Sequence, residues 1–213
     1  MSKAQYRYPD YRIIQYAKAP QRGQVKTRLR PALGDDGCLQ LHRRLVEHCF
    51  RQLSGAHTAP YSFSISGDSN GYFERLVAGT DVTIQQQQGA DLGQRMQHSA
   101  KQALAAAEAV VIVGSDCPFM DGDYLQQACK ALQQGHDCVL GPATDGGYVL
   151  IGLQRVDRQL FEGIAWGSDQ VLAQTRQRLD DLGWRYCELP ELADIDRPQD
   201  LVQLDSIWPG FRL

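Results

Sequence analysis

No stretch of the 213-residue chain stays apolar over the length a bilayer crossing requires. That excludes a helical membrane span. Met1 to Asp10 is polar and aromatic, without the apolar core of a secretion signal. A basic block or Lys/Arg stripe is equally missing. The 22 cations face 25 anions, for a net charge of −3, so a nucleic-acid footprint is absent. Ser/Gly linkers, low-complexity tracts and internal repeats are lacking too; Gln85 to Gln88 is too short to count. Cys38, Cys49, Cys117, Cys129, Cys138 and Cys187 form no C-x-x-C pair, and no histidine stands at zinc-like spacing. They read as small apolar core residues kept reduced. Together these absences lead to the expectation of a soluble cytoplasmic protein.

What is present is an ordinary globular balance, 43% hydrophobic and 22% charged. The length suits one domain over residues 1–213. Apolar runs and amphipathic stretches alternate along the chain. Strands are expected at 13–17, 61–66, 82–86, 109–114, 137–141, 148–153 and 185–188. Helices are expected after an Asp35-Asp36 cap, then over 69–78, 94–107, 121–134, 168–182 and 198–204. Ala109-Val110-Val111-Ile112-Val113 is apolar throughout, as a strand covered on both faces should be. The pattern predicts an open, mostly parallel α/β sheet, whose ligand sits beyond the carboxyl ends of its strands.

Four segments carry candidate chemistry. The first, Ala17 to Leu29, follows the first strand and places Lys18, Lys26 and Arg28 in a loop with Pro20 and Gly23. Fixed cations and closely approachable backbone N–H groups suit phosphates, though a solvated basic turn has the same composition. The second, Gly114-Ser115-Asp116-Cys117-Pro118, ends the most apolar strand and aims Asp116 at the crevice. A carboxylate there can hold Mg²⁺ or Mn²⁺, or can belong to the cap of the next helix. The third is Asp145-Gly146-Gly147-Tyr148, either a hairpin turn or a place where backbone, Asp145 and Tyr148 meet substrate hydroxyls. The fourth is Asp194-Ile195-Asp196, whose alternation puts both carboxylates on one face. They suit a divalent cation, and Asp196 also suits a helix cap. Trp166, which opens the segment reaching Asp169, is placed either to stack on a sugar ring or to pack in the core.

The five histidines are expected in helices or loops away from these segments, and no Ser-His-Asp or Cys-His arrangement is suggested. Cys117 adjoins Asp116, a carboxylate that disfavours its thiolate.

In this order the motifs resemble a bacterial family of small GT-A-fold transferases, the glycosyltransferase or nucleotide-diphospho-sugar transferase type. The matching stretches are Ala17 to Leu29, Gly89 to Met96, Gly114 to Pro118, Gly141 to Leu153 and Asp194 to Asp196. Arg22 departs from the proline common there. The resemblance implies a three-layer α/β/α sandwich and a nucleotide site. In it, Ala17, Lys18, Gly23, Lys26 and Arg28 meet nucleotide and phosphates. Asp116 and Asp196 hold Mg²⁺ or Mn²⁺, and Asp116 and Asp145 are the catalytic carboxylates. Gly146, Gly147, Tyr148, Trp166 and Asp169 face a small-molecule acceptor. The wider superfamily includes molybdenum-cofactor and 2-phospholactate guanylyltransferases. Three functions therefore stand open: glycosyl transfer from a nucleotide-sugar, nucleotidyl transfer from an NTP with pyrophosphate release, and a non-catalytic nucleotide-binding module.

Overall fold

The computed structural model describes residues 6–210. Seven strands form one sheet: β1 (Tyr11–Lys18), β2 (Tyr61–Ser66), β3 (Thr83–Gln86), β4 (Ala109–Val113), β5 (Cys138–Pro142), β6 (Tyr148–Leu153) and β7 (Tyr186–Glu188). Their order is β3-β2-β1-β4-β6-β5-β7. Only β6 runs against its neighbours; the other strands share one direction. This is the open, mostly parallel α/β sheet that the strand–helix alternation predicts.

Covered on both faces, β4 is the centre of the molecule, and all five of its residues are buried. Strand alternation divides them. Ala109, Val111 and Val113 join the cluster beneath α1 (Arg30–Gly55) and α4 (Gly122–Gln133). Val110 and Ile112 join the one beneath α3 (Leu92–Leu104) and α5 (Val171–Asp181). Burying each of its valines and its isoleucine contributes about 1.5–3 kcal/mol, so this strand anchors both helical layers. Phe73 of the short α2 (Tyr72–Leu76) closes the first cluster.

Two helices begin where aspartates cap them. Asp91 accepts from the Gln94 N–H at 2.8 Å, and Asp121 from the Tyr124 N–H at 2.9 Å. Such caps stabilise by about 1 kcal/mol each. Asp35 and Asp36 behave otherwise. The Asp35 carboxylate takes Arg30 at 2.6 Å and that of Asp36 takes Arg22 at 2.7 Å. The helical segment starts earlier, at Arg30, and breaks at Gly34, whose φ is 64 and ψ 176. The expected helix over 69–78 shortens to five residues. That over 198–204 becomes a 3₁₀ turn, Pro198–Gln203, followed by α6 (Leu204–Ile207). All six cysteines carry free thiols, five of them buried. Among the described residues no helix is long and apolar enough to cross a membrane.

Candidate functional site

Because six strands share a direction, the segments after β1, β4, β5 and β7 all leave the sheet at one edge. The four motifs are those segments. Two of them are fastened by a small third core. Leu29, which ends the basic loop, and Ile195, which separates the two aspartates, are both fully buried with Cys38, Leu41, Leu45 and Leu204. With Ile195 turned inward, Asp194 and Asp196 turn out together on the cavity side. The Ile195 N–H donates to the Asp116 carbonyl at 2.9 Å, tying this segment to the one after β4.

The result is a cavity of 520 Å³ with a charged end and an apolar end, a size suited to one small ligand. At the charged end the Lys26 Nζ lies 3.2 Å from Asp116 Oδ2 and 3.8 Å from Asp196 Oδ1. Arg28 meets the other Asp196 oxygen at 2.6 Å, and its second nitrogen is 3.5 Å from the Gly167 carbonyl. The Lys26 side chain is only 6% exposed, that of Arg28 52%. Lys18 turns back on its own loop, donating to the Gln24 carbonyl at 2.8 Å. Burial works to raise the Asp116 carboxyl, but the Lys26 charge and hydrogen bond, joined by a backbone hydrogen bond, outweigh it and hold it below the usual range. Asp194 has the opposite fate. Burial, then the charges of Asp116 and Asp145, push its carboxyl up to about 7.

A buried polar network supports this end. Gln15, inside β1, donates to Ser115 Oγ at 2.9 Å and to the Val46 carbonyl at 3.2 Å, and accepts from Tyr61 at 2.7 Å. The Ser115 hydroxyl in turn donates to the Tyr16 carbonyl at 2.6 Å. Every polar atom of the Gln15 amide is engaged, so strand, helix and the residue preceding Asp116 are locked together. His42 does the same for the basic loop. Its Nε2 lies 2.8 Å from the Lys18 carbonyl. Burial pushes its pKa down to about 4, with the Lys26 charge pushing the same way. The ring is therefore neutral at neutral pH and donates that bond. The histidines are thus not all remote from the motifs: His42 lines the cavity and His48 meets the Pro118 carbonyl at 3.1 Å. Gln15 had one sequence signal, a polar residue inside an apolar run. His42 had none beyond its place on a helical stripe.

Of the expected site residues, Ala17, Lys18, Lys26, Arg28, Asp116, Asp145, Gly147, Tyr148, Trp166 and Asp196 line the cavity. Gly23, Gly146 and Asp169 do not. Gly23 shapes the loop, with φ 75 and its carbonyl held by Arg30 at 2.9 Å. The β5–β6 connection is a tight turn closed by Ala143 and Gly147 at 3.0 Å. Asp145 Oδ1 caps that turn at the Gly147 N–H, 2.9 Å away, and the side chain stays exposed. The Tyr148 hydroxyl is buried in protein, on the Thr175 side, so its ring, not its hydroxyl, forms cavity wall. Trp166 is half-buried, edge-on to Tyr148 with ring centres 6.4 Å apart. A side chain on Gly93 would lie 2.7 Å from its Nε1 and 2.8 Å from the Phe161 carbonyl, so only glycine fits beneath it. Leu92 and Met96 complete the apolar end. Trp166 also walls a neighbouring cavity of 910 Å³ lined by Gln97, His98 and Arg158. Cys117 is inert: burial first, and Asp116 second, push its thiol up to about 12.

Residues 49–168 match the model of a family described as uncharacterized protein conserved in bacteria (DUF2064). The chain belongs to that family. The matched part of this DUF2064 protein includes Asp116, Asp145 and Trp166. A protein of Desulfovibrio desulfuricans G20, provisionally assigned as a nucleotide-diphospho-sugar transferase, is 31% identical to it. The alignment covers 95% of this chain and 89% of that one, with a TM-score of 0.85. A cytidylyltransferase of Leptospira borgpetersenii is 14% identical over 97% of this chain and 89% of its own, with a TM-score of 0.60. Glucosyl-3-phosphoglycerate synthase of Mycobacterium tuberculosis, solved with Mn²⁺, UDP and glucosyl-3-phosphoglycerate, is 12% identical. That alignment covers 93% of this chain and 76% of the other, with a TM-score of 0.56. At such identities the last two share the fold. No curated protein sequence matches this DUF2064 chain significantly.

Proposed function

We propose that this chain is a divalent-metal-dependent transferase that takes a nucleotide-diphospho-sugar and moves its glycosyl group to a small-molecule acceptor. One observation carries the reading: Lys26, Arg28, Asp116 and Asp196, from loops far apart in sequence, converge on one point of one cavity. The name given to the D. desulfuricans relative supports it. Among the described residues no three His, Cys, Asp or Glu side chains are grouped to hold a metal. Asp116 and Asp196, which flank the Lys26 ammonium, would hold Mg²⁺ or Mn²⁺ as a pair of carboxylates together with substrate phosphates, a set that suits a hard cation. Such an ion supplies charge stabilisation to a departing diphosphate. Lys26 and Arg28 do the same from the basic loop, as charge-assisted donors. Asp194, half-ionised near neutrality, is suited to take a proton from an acceptor hydroxyl. Asp145 stands at the same rim, beside the Tyr148 and Trp166 walls.

The second reading is nucleotidyl transfer from an NTP to a phosphorylated small molecule, as in molybdenum-cofactor and 2-phospholactate guanylyltransferases. The Lys26 and Arg28 pair favours it equally, since a triphosphate wants the same cations. The products decide. Incubation with UDP-, GDP-, ADP- and dTDP-sugars and with the four NTPs, with Mn²⁺ or Mg²⁺, should give slow metal-dependent release of a nucleoside diphosphate from at least one sugar donor. Water stands in for the acceptor, and the rate is low because acceptor positioning is missing. Pyrophosphate from an NTP with every sugar donor intact establishes the second reading and rejects the first. Binding without turnover in either panel, even with candidate acceptors added, leaves a nucleotide-binding module.

A further inference from the structure

Lys26 is held in a place it cannot share with the ion proposed above. Its backbone is left-handed, φ 48 and ψ 39, a conformation costly for a residue with a side chain and one that persists where the surroundings over-determine it. That backbone delivers a nearly buried ammonium between Asp116 and Asp196. Here the cation meant for phosphate is turned to the carboxylates meant for the metal. Leaving that position empty-handed is unfavourable: it strands a desolvated ammonium and places carboxylates near one another uncompensated.

We propose that Lys26 is an exchangeable occupant of the cation position. It holds Asp116 and Asp196 together in the free protein and yields them when Mg²⁺ or Mn²⁺ binds. Its ammonium, released on a flexible four-carbon stem, then turns to the diphosphate. This rests on the transferase reading above and adds a coupling to it. The metal frees the lysine that the phosphates need, and the phosphates draw away the lysine that competes with the metal. Each ligand therefore strengthens the other by the same factor. Arg28, more exposed, keeps one nitrogen on the outer Asp196 oxygen throughout and meets the phosphates with its remaining N–H groups.

The coupling makes an unusual demand: deleting a cation from a nucleotide site should tighten metal binding. Calorimetry or manganese EPR on Lys26→Met, with Mn²⁺ alone, should show affinity about tenfold above wild type, because a competing charge is gone. The nucleoside diphosphate binding best among UDP, GDP, ADP and CDP should raise wild-type Mn²⁺ affinity several-fold and that of Lys26→Met by far less. A thermal melt shows whether the variant is folded. Wild-type protein gives an independent readout. Acetylation of Lys26, followed by mass spectrometry, should be slow alone, faster with Mn²⁺, and slow again with Mn²⁺ and the diphosphate. If Mn²⁺ and the diphosphate both bind wild type but Lys26→Met binds Mn²⁺ no tighter, or acetylation ignores Mn²⁺, the exchange is rejected and the transferase reading stands. If wild type binds neither, both are rejected.

Discussion

Arg28 shows how far a single residue can be read. Its charge and its position after the first strand mark it in the sequence, and the structure sets it at the mouth of the cavity, 52% exposed, on Asp196. Nothing in the core depends on it. Arg28→Ala should therefore leave the melting temperature near wild type. Losing a charged hydrogen bond, worth about 1.5–3 kcal/mol, should weaken nucleotide binding on the order of ten- to a hundredfold by calorimetry. Unchanged affinity would remove Arg28 from the phosphate site. That Lys26, Arg28, Asp116 and Asp196 lie at one end of the sheet was legible because loops after parallel strands leave it together, whereas the turning back of Lys18 was not. Gln15 and His42 were not, because their roles come from burial against partners many residues away. The Tyr148 hydroxyl went the other way, read as substrate-facing and found turned into protein, since local sequence does not say which way a ring leans.

At the level of elements, hydrophobic runs and turn residues carried most of the information. The continuously apolar stretch became the central β4, and the Asp-Gly-Gly sequence became a tight turn. Boundaries were lost where side chains chose other partners. The start of α1 moved because Asp35 and Asp36 pair with arginines rather than capping a helix. The β5–β6 turn is also where a small change should do most harm. Gly146 has φ 88, and a Cβ there would lie 2.3 Å from the Asp169 carbonyl oxygen and 2.8 Å from its Cα. Backbone cannot swing aside as a side chain can. Gly146→Ala thus combines left-handed strain with a clash, together costing more than the about 1–3 kcal/mol typical of overpacking. Chemical denaturation should show that loss, with the segment from Gly167 to Val171 the first to lose amide protection. Gly183→Ala, with φ 63 but nothing within 4 Å, provides the comparison, losing only the strain. Equal losses in the two variants would show that the contact with Asp169 is unimportant.

Across the whole molecule, acid should act through two groups at this one site, in opposite senses. His42 is pushed from an ordinary 6.5 down to about 4, mainly by burial. In that window the unfolded chain binds the proton first, so its contribution to stability is complete above 6.5 and shrinks as pH falls toward 4. Asp194 is raised from 3.8 to about 7, again mainly by burial, with the Asp116 and Asp145 charges adding to it. There the folded chain binds the proton first, so its contribution is complete below 3.8 and is lost as pH rises toward 7. The windows overlap from about 4 to 6.5. Wild-type stability, measured without divalent metal, should fall from roughly pH 6.5 to 5 by less than His42 and His48 alone would cause, since burial lowers both histidines and the Asp194 slope opposes them. Removing either group should expose the other. Relative to wild type, His42→Gln should lose less stability on acidification across that range, and Asp194→Asn more. The slope of melting temperature against pH is the readout, so a uniform loss of stability in either variant does not obscure it. Parallel slopes in all three proteins would mean that neither group titrates as its surroundings require. A more acid-sensitive Asp194→Asn beside a less acid-sensitive His42→Gln would show that a crowded carboxylate facing the cavity offsets part of what a buried histidine bracing the basic loop loses in mild acid.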